Sequence, residues 1–354
     1  MTNFPIPVSA GDAGPILIVP YMWIGDFVRC HSVIKVLKAR WPERPIDMLT
    51  TRLCQPLTDY MPGLRQGVVW DLPRGRLALR DQRALAARLR AEGYELSLVM
   101  PRTWKAALAP WLAGIPHRVG FVGEARFGLL NDWRWGERRL PRMVDRCAQL
   151  ALPRGSTPSA EWPSPELSVS PREVAAWRRA VGAEQADLAV ALAPGAVGPS
   201  KRWPAAAYGQ LAAALAADGI AVWVLGGPDE APIAAEIARH GGSSVRDLTG
   251  PDLRSAVLAL AAAQAAVSND SGLLHVAAAL GTPSIGIFGP TSPWHWAPLN
   301  PLAAVIATES ELTCQPCHKP VCRVGHHRCM QDIAPDRVIV AVRRAIEQVG
   351  LSNA

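Results

Sequence analysis

The chain has 354 residues, more than one compact hydrophobic core normally spans, so its length predicts two domains. Hydrophobic residues make up 49% and charged residues 19% of the sequence, which indicates a globular protein and excludes a disordered chain. The net charge of +7 indicates an anionic partner. That partner could be nucleic acid, an anionic membrane surface or a phosphorylated substrate, and the charge alone does not choose among them.

The N-terminal half alternates short apolar runs with helical periodicity. Residues 16–20 form an apolar run, and Phe27, Ile34 and Trp41 belong to the amphipathic pattern that follows it. Further strands are predicted at 46–49, 68–72 and 96–100, with a helix at 77–91. This alternation predicts a parallel sheet that is covered by helices on both faces.

A proline-rich stretch then interrupts the pattern. Prolines 153, 158, 163, 165 and 171 lie among serine, threonine and glycine, so we predict an interdomain linker at 153–171. Strands and helices then resume, with strands predicted at 188–193, 220–225, 265–268 and 284–288. The predicted fold is α/β, with two Rossmann-like domains whose parallel sheets face a central cleft. Ligands are expected beyond the carboxyl ends of the strands.

Residues 1–14 lack a basic segment followed by an apolar run, so no secretory signal is predicted there. The most apolar stretch, 256–267, is about half the length that crosses a bilayer. The sequence therefore predicts a cytoplasmic protein.

Three loops after predicted strands carry candidate chemistry. The first, residues 21–26, places Asp26 at a helix start, where a helix-capping role and a general-base role both remain open. The second, 193–204, is rich in small residues and contains Ser200 and Lys201, but it lacks P-loop spacing. The third, 268–275, begins a helix whose free amides suit a diphosphate; the alternative is a simple capping turn.

The sequence motifs of two other kinds of nucleotide-dependent enzyme are absent from the chain. No Asp-x-Asp pair is present to hold a divalent metal on a sugar nucleotide, so cations and helix amides would have to neutralise a leaving diphosphate. No Gly-x-Gly-x-x-Gly follows the first strand, which argues against a dinucleotide-dependent dehydrogenase.

Four short motifs occur together in the three loops: Trp-Ile-Gly-Asp at 23–26, Pro-Gly and Lys-Arg-Trp-Pro in the second loop, and Asn-Asp-Ser-Gly-Leu-Leu-His at 269–275. In this combination they resemble the lipopolysaccharide heptosyltransferases of glycosyltransferase family 9. Residues 109–120 and 126–132 resemble the heptosyltransferase II branch of that family. The resemblance implies a GT-B fold with an acceptor-binding domain at 1–152 and an ADP-heptose-binding domain at 172–334. It also implies a C-terminal helix, 335–354, that packs back on the first domain.

The resemblance further implies roles for single residues in an inverting transfer of heptose from ADP-heptose to the first heptose of the inner core. Asp26 would be the general base, and Lys201 would offset charge on the departing diphosphate. The remaining donor-binding residues are expected to be Ser200, Glu230 (or its neighbour Asp229), Asp270, Ser271, Gly272 and His275. Lys105, Arg118 and Arg126 are candidates for an anionic acceptor, because guanidinium groups pair with phosphate and carboxylate.

Four cysteines, Cys314, Cys317, Cys322 and Cys329, lie in a short segment at 314–329. A structural zinc ion is one hypothesis. The spacing is not that of a standard zinc ribbon or finger, and a disulfide is disfavoured in a reducing cytoplasm. No cofactor is expected in the chemistry itself.

The expected partners are ADP-heptose and a lipid A–Kdo–heptose acceptor at the inner face of the inner membrane. Heptosyltransferase I or III, which differ in acceptor, and a nucleotide-sugar epimerase remain alternatives. A non-enzymatic nucleotide-binding module is a third. No interleaved aromatic and basic platform is found, so no nucleic-acid partner is expected.

Overall fold

The computed structural model describes residues 14–71, 76–159, 161–186 and 188–353, with the side chains of 352 and 353 left out. The chain divides into two compact units, Met1–Pro165 and Glu166–Ala354. The boundary between them lies inside the proline-rich stretch.

The first unit is built on a six-stranded parallel sheet. Its order is β3-β2-β1-β4-β5-β6, the order of a doubly wound nucleotide-binding sheet. The first strand is fully buried because helices cover both faces. The strands are β1 (Ile16–Val19), β2 (Ile46–Thr50), β3 (Gln66–Val69), β4 (Leu96–Val99), β5 (His117–Phe121) and β6 (Asp132–Arg134).

Helices connect these strands and contribute apolar side chains to the core. Leu85, Leu89, Ala107 and Ala109 pack there against Leu17 and Val99 of the sheet. The helices are α1 (Ile24–Arg29), α2 (His31–Arg40), α3 (Gln55–Thr58), α4 (Leu79–Ala91), α5 (Trp104–Leu112) and α6 (Met143–Gln149).

The second unit repeats this topology. Its sheet has the order β12-β11-β10-β7-β8-β9, in which the fourth strand of the unit again pairs with the first. All its strand pairs are parallel. The strands are β7 (Ala189–Ala193), β8 (Ala221–Val224), β9 (Val245–Asp247), β10 (Ala265–Asn269), β11 (Ser284–Phe288) and β12 (Ala303–Ala307).

The helices of the second unit are α7 (Pro171–Ala180), α8 (Ala205–Ala217), α9 (Ala231–Gly241), α10 (Leu253–Ala262), α11 (Gly272–Ala279), α12 (Pro293–Trp296), α13 (Arg328–Gln331) and α14 (Pro335–Asn353). The long C-terminal helix α14 buries Val338 and Val342 in the core of its own unit, beside Tyr208 and Leu211. Its packing on the first domain stays a prediction.

The predicted core strands agree with the structure within two residues, except at the third, which runs over Gln66–Val69 instead of 68–72. Residue 72 lies outside the described residues. The single helix predicted after β1 is two helices that meet at Cys30, whose N–H is shared between the carbonyls of Asp26 and Phe27. Strands β5, β6, β9 and β12 were not among the predicted strands. Three of them are polar or lie at a sheet edge, where burial imposes no continuous apolar run.

The topology identifies one switch point in each sheet. The connections from the central strands leave in opposite directions between β1 and β4, and again between β7 and β10. A crevice forms at such a point, beyond the carboxyl ends of the strands. The loops after β1, β7 and β10 are therefore the positions where ligand-binding side chains are expected. Within the described residues, no helix is both long and apolar enough to span a membrane.

Candidate functional site

Asp26 lies at the switch point of the first unit. It is the third residue of α1 and not its N-cap, because the N-cap is Trp23, which makes no side-chain capping bond. Arg29, one turn later, donates from Nη1 to Oδ1 of Asp26 at 2.8 Å. Both side chains are largely buried, with exposed fractions of 16% for Asp26 and 7% for Arg29. A guanidinium at this distance favours the charged carboxylate, the form that accepts a proton.

The loops after β7 and β10 meet in the second unit because these strands are neighbours. Lys201 Nζ lies 2.7 Å from Oδ2 of Asp270, and Asp270 is almost fully buried. Asn269 joins the same loops: its Oδ1 accepts the N–H of Trp203 at 3.1 Å, and its Nδ2 donates to the carbonyl of Pro194 at 2.6 Å. The second and third candidate loops of the sequence analysis thus form one structural site, with the Lys201 ammonium at its edge.

The helix start after β10 has the geometry of an anion-binding site. Ser271 is the N-cap residue of α11 and Gly272 is its first residue, but the Ser271 hydroxyl does not cap the helix. It lies 2.9 Å from the hydroxyl of Ser268 instead. First-turn amides and the helix dipole favour a negatively charged group here. His275, one turn further on, is buried, and its predicted role in donor binding stays a prediction.

Glu230 is brought against the start of the β7–α8 loop. It ends a 3₁₀ turn, Pro228–Glu230, where Oε2 accepts the N–H of Gly227 at 2.8 Å. A β-carbon at Gly195 would lie 2.7 Å from Cδ of Glu230, so a larger residue there would displace the Glu230 side chain. Asp229 is exposed. The geometry therefore places Glu230, and not its neighbour, beside the Lys201 loop.

Ser200 connects that loop to the cysteine-rich segment. Its side chain is buried, and its hydroxyl donates to the carbonyl of Lys319 at 2.5 Å. The Ser200 N–H donates to the carbonyl of Pro320, and His327 Nε2 lies 2.7 Å from the Ser200 carbonyl. Ser200 thus fixes the β7–α8 loop to the cysteine-rich segment. Its predicted contact with the sugar-nucleotide donor stays a prediction.

The structure does not assemble a zinc site from the four cysteines. Among the residues it describes, no three histidine, cysteine, aspartate or glutamate side chains converge to hold a metal ion. Cys314 Sγ lies 3.9 Å from Nε2 of His326, and all four thiols are free. Hydrogen bonds from the backbone amide of His327 and its neighbours lower the pKa of Cys322, whereas burial raises the pKa of Cys329 to about 11. The zinc hypothesis gains no support from this arrangement and stays a prediction.

Two of the three candidate acceptor residues hold the backbone of the first unit. The guanidinium of Arg126 donates to the carbonyls of Pro101 at 2.5 Å and Phe121 at 2.6 Å, with only 3% of the residue exposed. Burial lowers the pKa of Arg126 to about 10, so it is still charged at neutral pH. Arg118 donates to the carbonyls of Ile115 and Leu129. Either arginine would have to exchange these bonds to bind an acceptor.

The third candidate, Lys105, is partly buried in the first turn of α5. For all three residues, acceptor binding stays a prediction.

The sequence analysis did not single out Arg29, and it gave Asn269 no role of its own. Arg29 was within reach of the sequence, because an aspartate and an arginine three residues apart on a helix lie on one face. Asn269 joins the loops after β7 and β10 because these two strands are neighbours in the sheet. The order of elements along the chain does not show which strands are neighbours.

Two doubly wound α/β units, with charged side chains at the switch point of each sheet, are the architecture of a GT-B glycosyltransferase. The family model for glycosyltransferase family 9 (heptosyltransferase) matches residues 82–327, and the chain belongs to this family. The fold class and enzyme class predicted from the sequence are thereby confirmed.

Characterised relatives are similar over nearly the whole chain. Lipopolysaccharide heptosyltransferase 2 of Salmonella typhimurium is 34% identical over 350 residues, which cover 95% of this chain and 99% of the relative. Lipooligosaccharide heptosyltransferase 2 of Haemophilus influenzae is 35% identical, with 92% and 97% covered. The solved structure of E. coli ADP-heptose lps heptosyltransferase II superimposes with a TM-score of 0.84 at 33% identity, covering 95% of this chain and 99% of that one.

Proposed function

We propose that this protein transfers a heptose from ADP-heptose to the first heptose of the lipopolysaccharide inner core, with inversion at the anomeric carbon. The donor and the kind of acceptor are those for which the relatives are named, and these relatives are similar over more than nine-tenths of this chain. The observation that carries the proposal is the Lys201–Asp270 pair beside the start of α11, because it gives a departing diphosphate a cation and helix amides.

In the proposed mechanism, Asp26 accepts the proton of the acceptor hydroxyl as its oxygen attacks the anomeric carbon. An ordinary carboxylate is a weak base toward an alcohol, so proton transfer is expected late, when the oxygen has gained positive character. Arg29 holds one oxygen of Asp26 and keeps the group charged until then. Attack from the face opposite the departing ADP inverts the configuration.

On the donor side, Lys201 offsets the charge that develops on ADP, and the amides at Ser271 and Gly272 bind the diphosphate. Asp270 positions the Lys201 ammonium, while Glu230 binds the ribose hydroxyls. His275 supports the helix from its buried face. No step uses a metal ion or another cofactor.

The lipid-linked acceptor places the working enzyme at a membrane surface. We propose a cytoplasmic protein that associates peripherally with the inner face of the inner membrane. Lys105, Arg118 and Arg126 are kept as candidates for binding the anionic groups of the acceptor.

The deciding experiment is release of ADP from ADP-heptose with three additions: no acceptor, heptose-free Kdo–lipid A, or the acceptor with one heptose. Release that requires the one-heptose acceptor supports the proposal. Release with the heptose-free acceptor would identify a heptosyltransferase I activity instead. Consumption of the donor without any acceptor would indicate hydrolysis or epimerisation and would refute the transfer.

A further inference from the structure

Most exposed large hydrophobic side chains of the first unit lie in the segments that follow strands. Trp23 follows β1, Leu53 follows β2, Trp104 follows β4, Phe127 follows β5 and Trp135 follows β6, and each of these residues is more than 40% exposed. Because the strands are parallel, their carboxyl ends share one edge of the sheet. Trp111, by contrast, lies at the far end of α5, toward the opposite edge.

Two of these exposed rings, Phe127 and Trp135, are joined through the half-buried ring of Trp133 in β6, and we call the row of three the aromatic ladder. The ring centroids of Phe127 and Trp133 are 5.5 Å apart, those of Trp133 and Trp135 are 6.1 Å apart, and both contacts are edge-to-face. Phe127 is 53% and Trp135 67% exposed. Exposing the apolar rings of Phe127 and Trp135 to water costs free energy, which contact with another apolar surface would recover.

The loops that carry the ladder are fixed to one another. Arg126, the residue before Phe127, donates to carbonyls of the loop after β4 and of β5. Arg102 Nε lies 3.0 Å from Oε2 of Glu137, which joins the loop after β4 to the segment after β6. The loops that carry the exposed rings are therefore held together by these hydrogen bonds and this ion pair.

Exposed arginines are close to these aromatic residues in sequence. Arg138 and Arg139 follow Trp135 by three and four residues, and Arg102 precedes Trp104 by two; all three are exposed. Tryptophan favours the headgroup level of a bilayer, and arginine is attracted to anionic headgroups. An edge with both kinds of side chain complements an anionic lipid surface in polarity and in charge.

We infer that the aromatic ladder, with Arg138 and Arg139, is a docking surface for an anionic phospholipid bilayer. The inference rests on the proposed function, because an acceptor anchored by lipid A must be met at a membrane. Asp26 lies at the same edge of the sheet, so docking through this edge brings the catalytic loop to the surface where the acceptor lies.

The test is co-sedimentation of the full-length protein with vesicles of phosphatidylethanolamine and phosphatidylglycerol, compared with vesicles of phosphatidylcholine alone. The double variant F127A/W135A is expected to lose at least tenfold in partition coefficient on the anionic vesicles. The variant R138Q/R139Q is expected to lose a similar factor at low salt and less at high salt. Trp111→Ala, a matched change of an exposed tryptophan toward the opposite edge, is expected to stay within twofold of the unmodified protein. Circular dichroism of each variant checks that it is folded.

A lipid-free heptose–Kdo oligosaccharide acceptor separates docking from catalysis. If the ladder binds lipid, F127A/W135A releases ADP normally with this soluble acceptor and poorly with the vesicle-bound one. Equal loss with both acceptors would assign the ladder to sugar binding and overturn the inference, as would unchanged vesicle binding. If the unmodified protein binds vesicles but transfers no heptose, the proposed function fails while the docking surface stands.

Discussion

Asp26 and Arg29 lie one turn apart on α1, and the ion pair between them fixes one carboxylate oxygen at the switch point of the first sheet. General-base catalysis by a positioned carboxylate typically contributes about 10²- to 10⁴-fold in rate. We therefore expect Asp26→Asn to lower kcat by about that factor and to leave the Kd for ADP-heptose within twofold. Steady-state ADP release and calorimetric titration measure the two quantities. Asp81→Asn, on the exposed first turn of α4, is the matched control; a variant that keeps most of its turnover contradicts the assignment.

Arg29 provides a second test of the same pair. Replacement by methionine removes the cation that favours the ionised carboxylate, so more of Asp26 is protonated at a given pH. The acidic limb of the kcat profile is expected to move to higher pH in Arg29→Met and to stay near its original position in Arg29→Lys. A lower melting temperature with an unshifted profile would show that Arg29 has only a packing role.

Lys201 is the cation expected to meet the diphosphate. A lost hydrogen bond to a charged group costs about 1.5–3 kcal/mol, which corresponds to a factor of roughly ten to a hundred in affinity. Calorimetry should show a weakening of that size for ADP-heptose binding to Lys201→Ala. Lys319→Ala removes an exposed cation from the same unit while keeping the carbonyl that Ser200 binds. If both variants bind the donor equally well, the diphosphate is elsewhere.

At the scale of elements, loops are held by side chains that cross between strands. Arg126 holds the loop after β4 to the end of β5 through carbonyl groups, and Asn269 holds the loop after β7 to that after β10. In both units the residue that fixes a loop is buried, because a solvated polar group would exchange its partners for water. The Asn269 contacts hold the loop that carries Lys201.

Arg126 allows the structural and the acceptor-binding roles to be separated. Replacement by methionine leaves buried carbonyls without donors, so we expect the free energy of unfolding to fall by about 3 kcal/mol. Urea denaturation measures this, with Arg83→Met on the exposed face of α4 as the control. Unchanged stability together with a raised KM for the acceptor would instead establish Arg126 as an acceptor-binding residue.

At the scale of the whole molecule, the proposed chemistry assigns charge neutralisation to Lys201 and to the start of α11. Chelation with EDTA is therefore expected to leave ADP release within twofold of the untreated protein. Elemental analysis of the same sample tests the zinc hypothesis separately. About one zinc per chain, whose removal lowers the melting temperature but not the turnover at low temperature, would establish a structural ion at the four cysteines. A chelator-dependent loss of turnover in the folded protein would contradict the assignment of the charge to Lys201.

The sequence by itself determined the α/β class, the repeated architecture and most central strands. Buried parallel strands need continuous apolar runs, and such runs are visible at β1 and β11 without any tertiary information. It also determined the family, because several short motifs occur together in the right order. Edge strands such as β9 could not be predicted from the sequence, because an exposed strand does not need to be apolar.

Only the tertiary structure decided which of the marked residues share a site. Residues 201 and 270 are distant in sequence and meet because β7 pairs with β10. The same folding buried Arg126 against carbonyl groups and directed the Ser200 hydroxyl toward Lys319, contacts that residue type alone did not predict. Residue type and local spacing specify what a side chain is able to bind. Which partner it finds depends on strand adjacency and burial, and these are set by contacts between segments far apart in the chain.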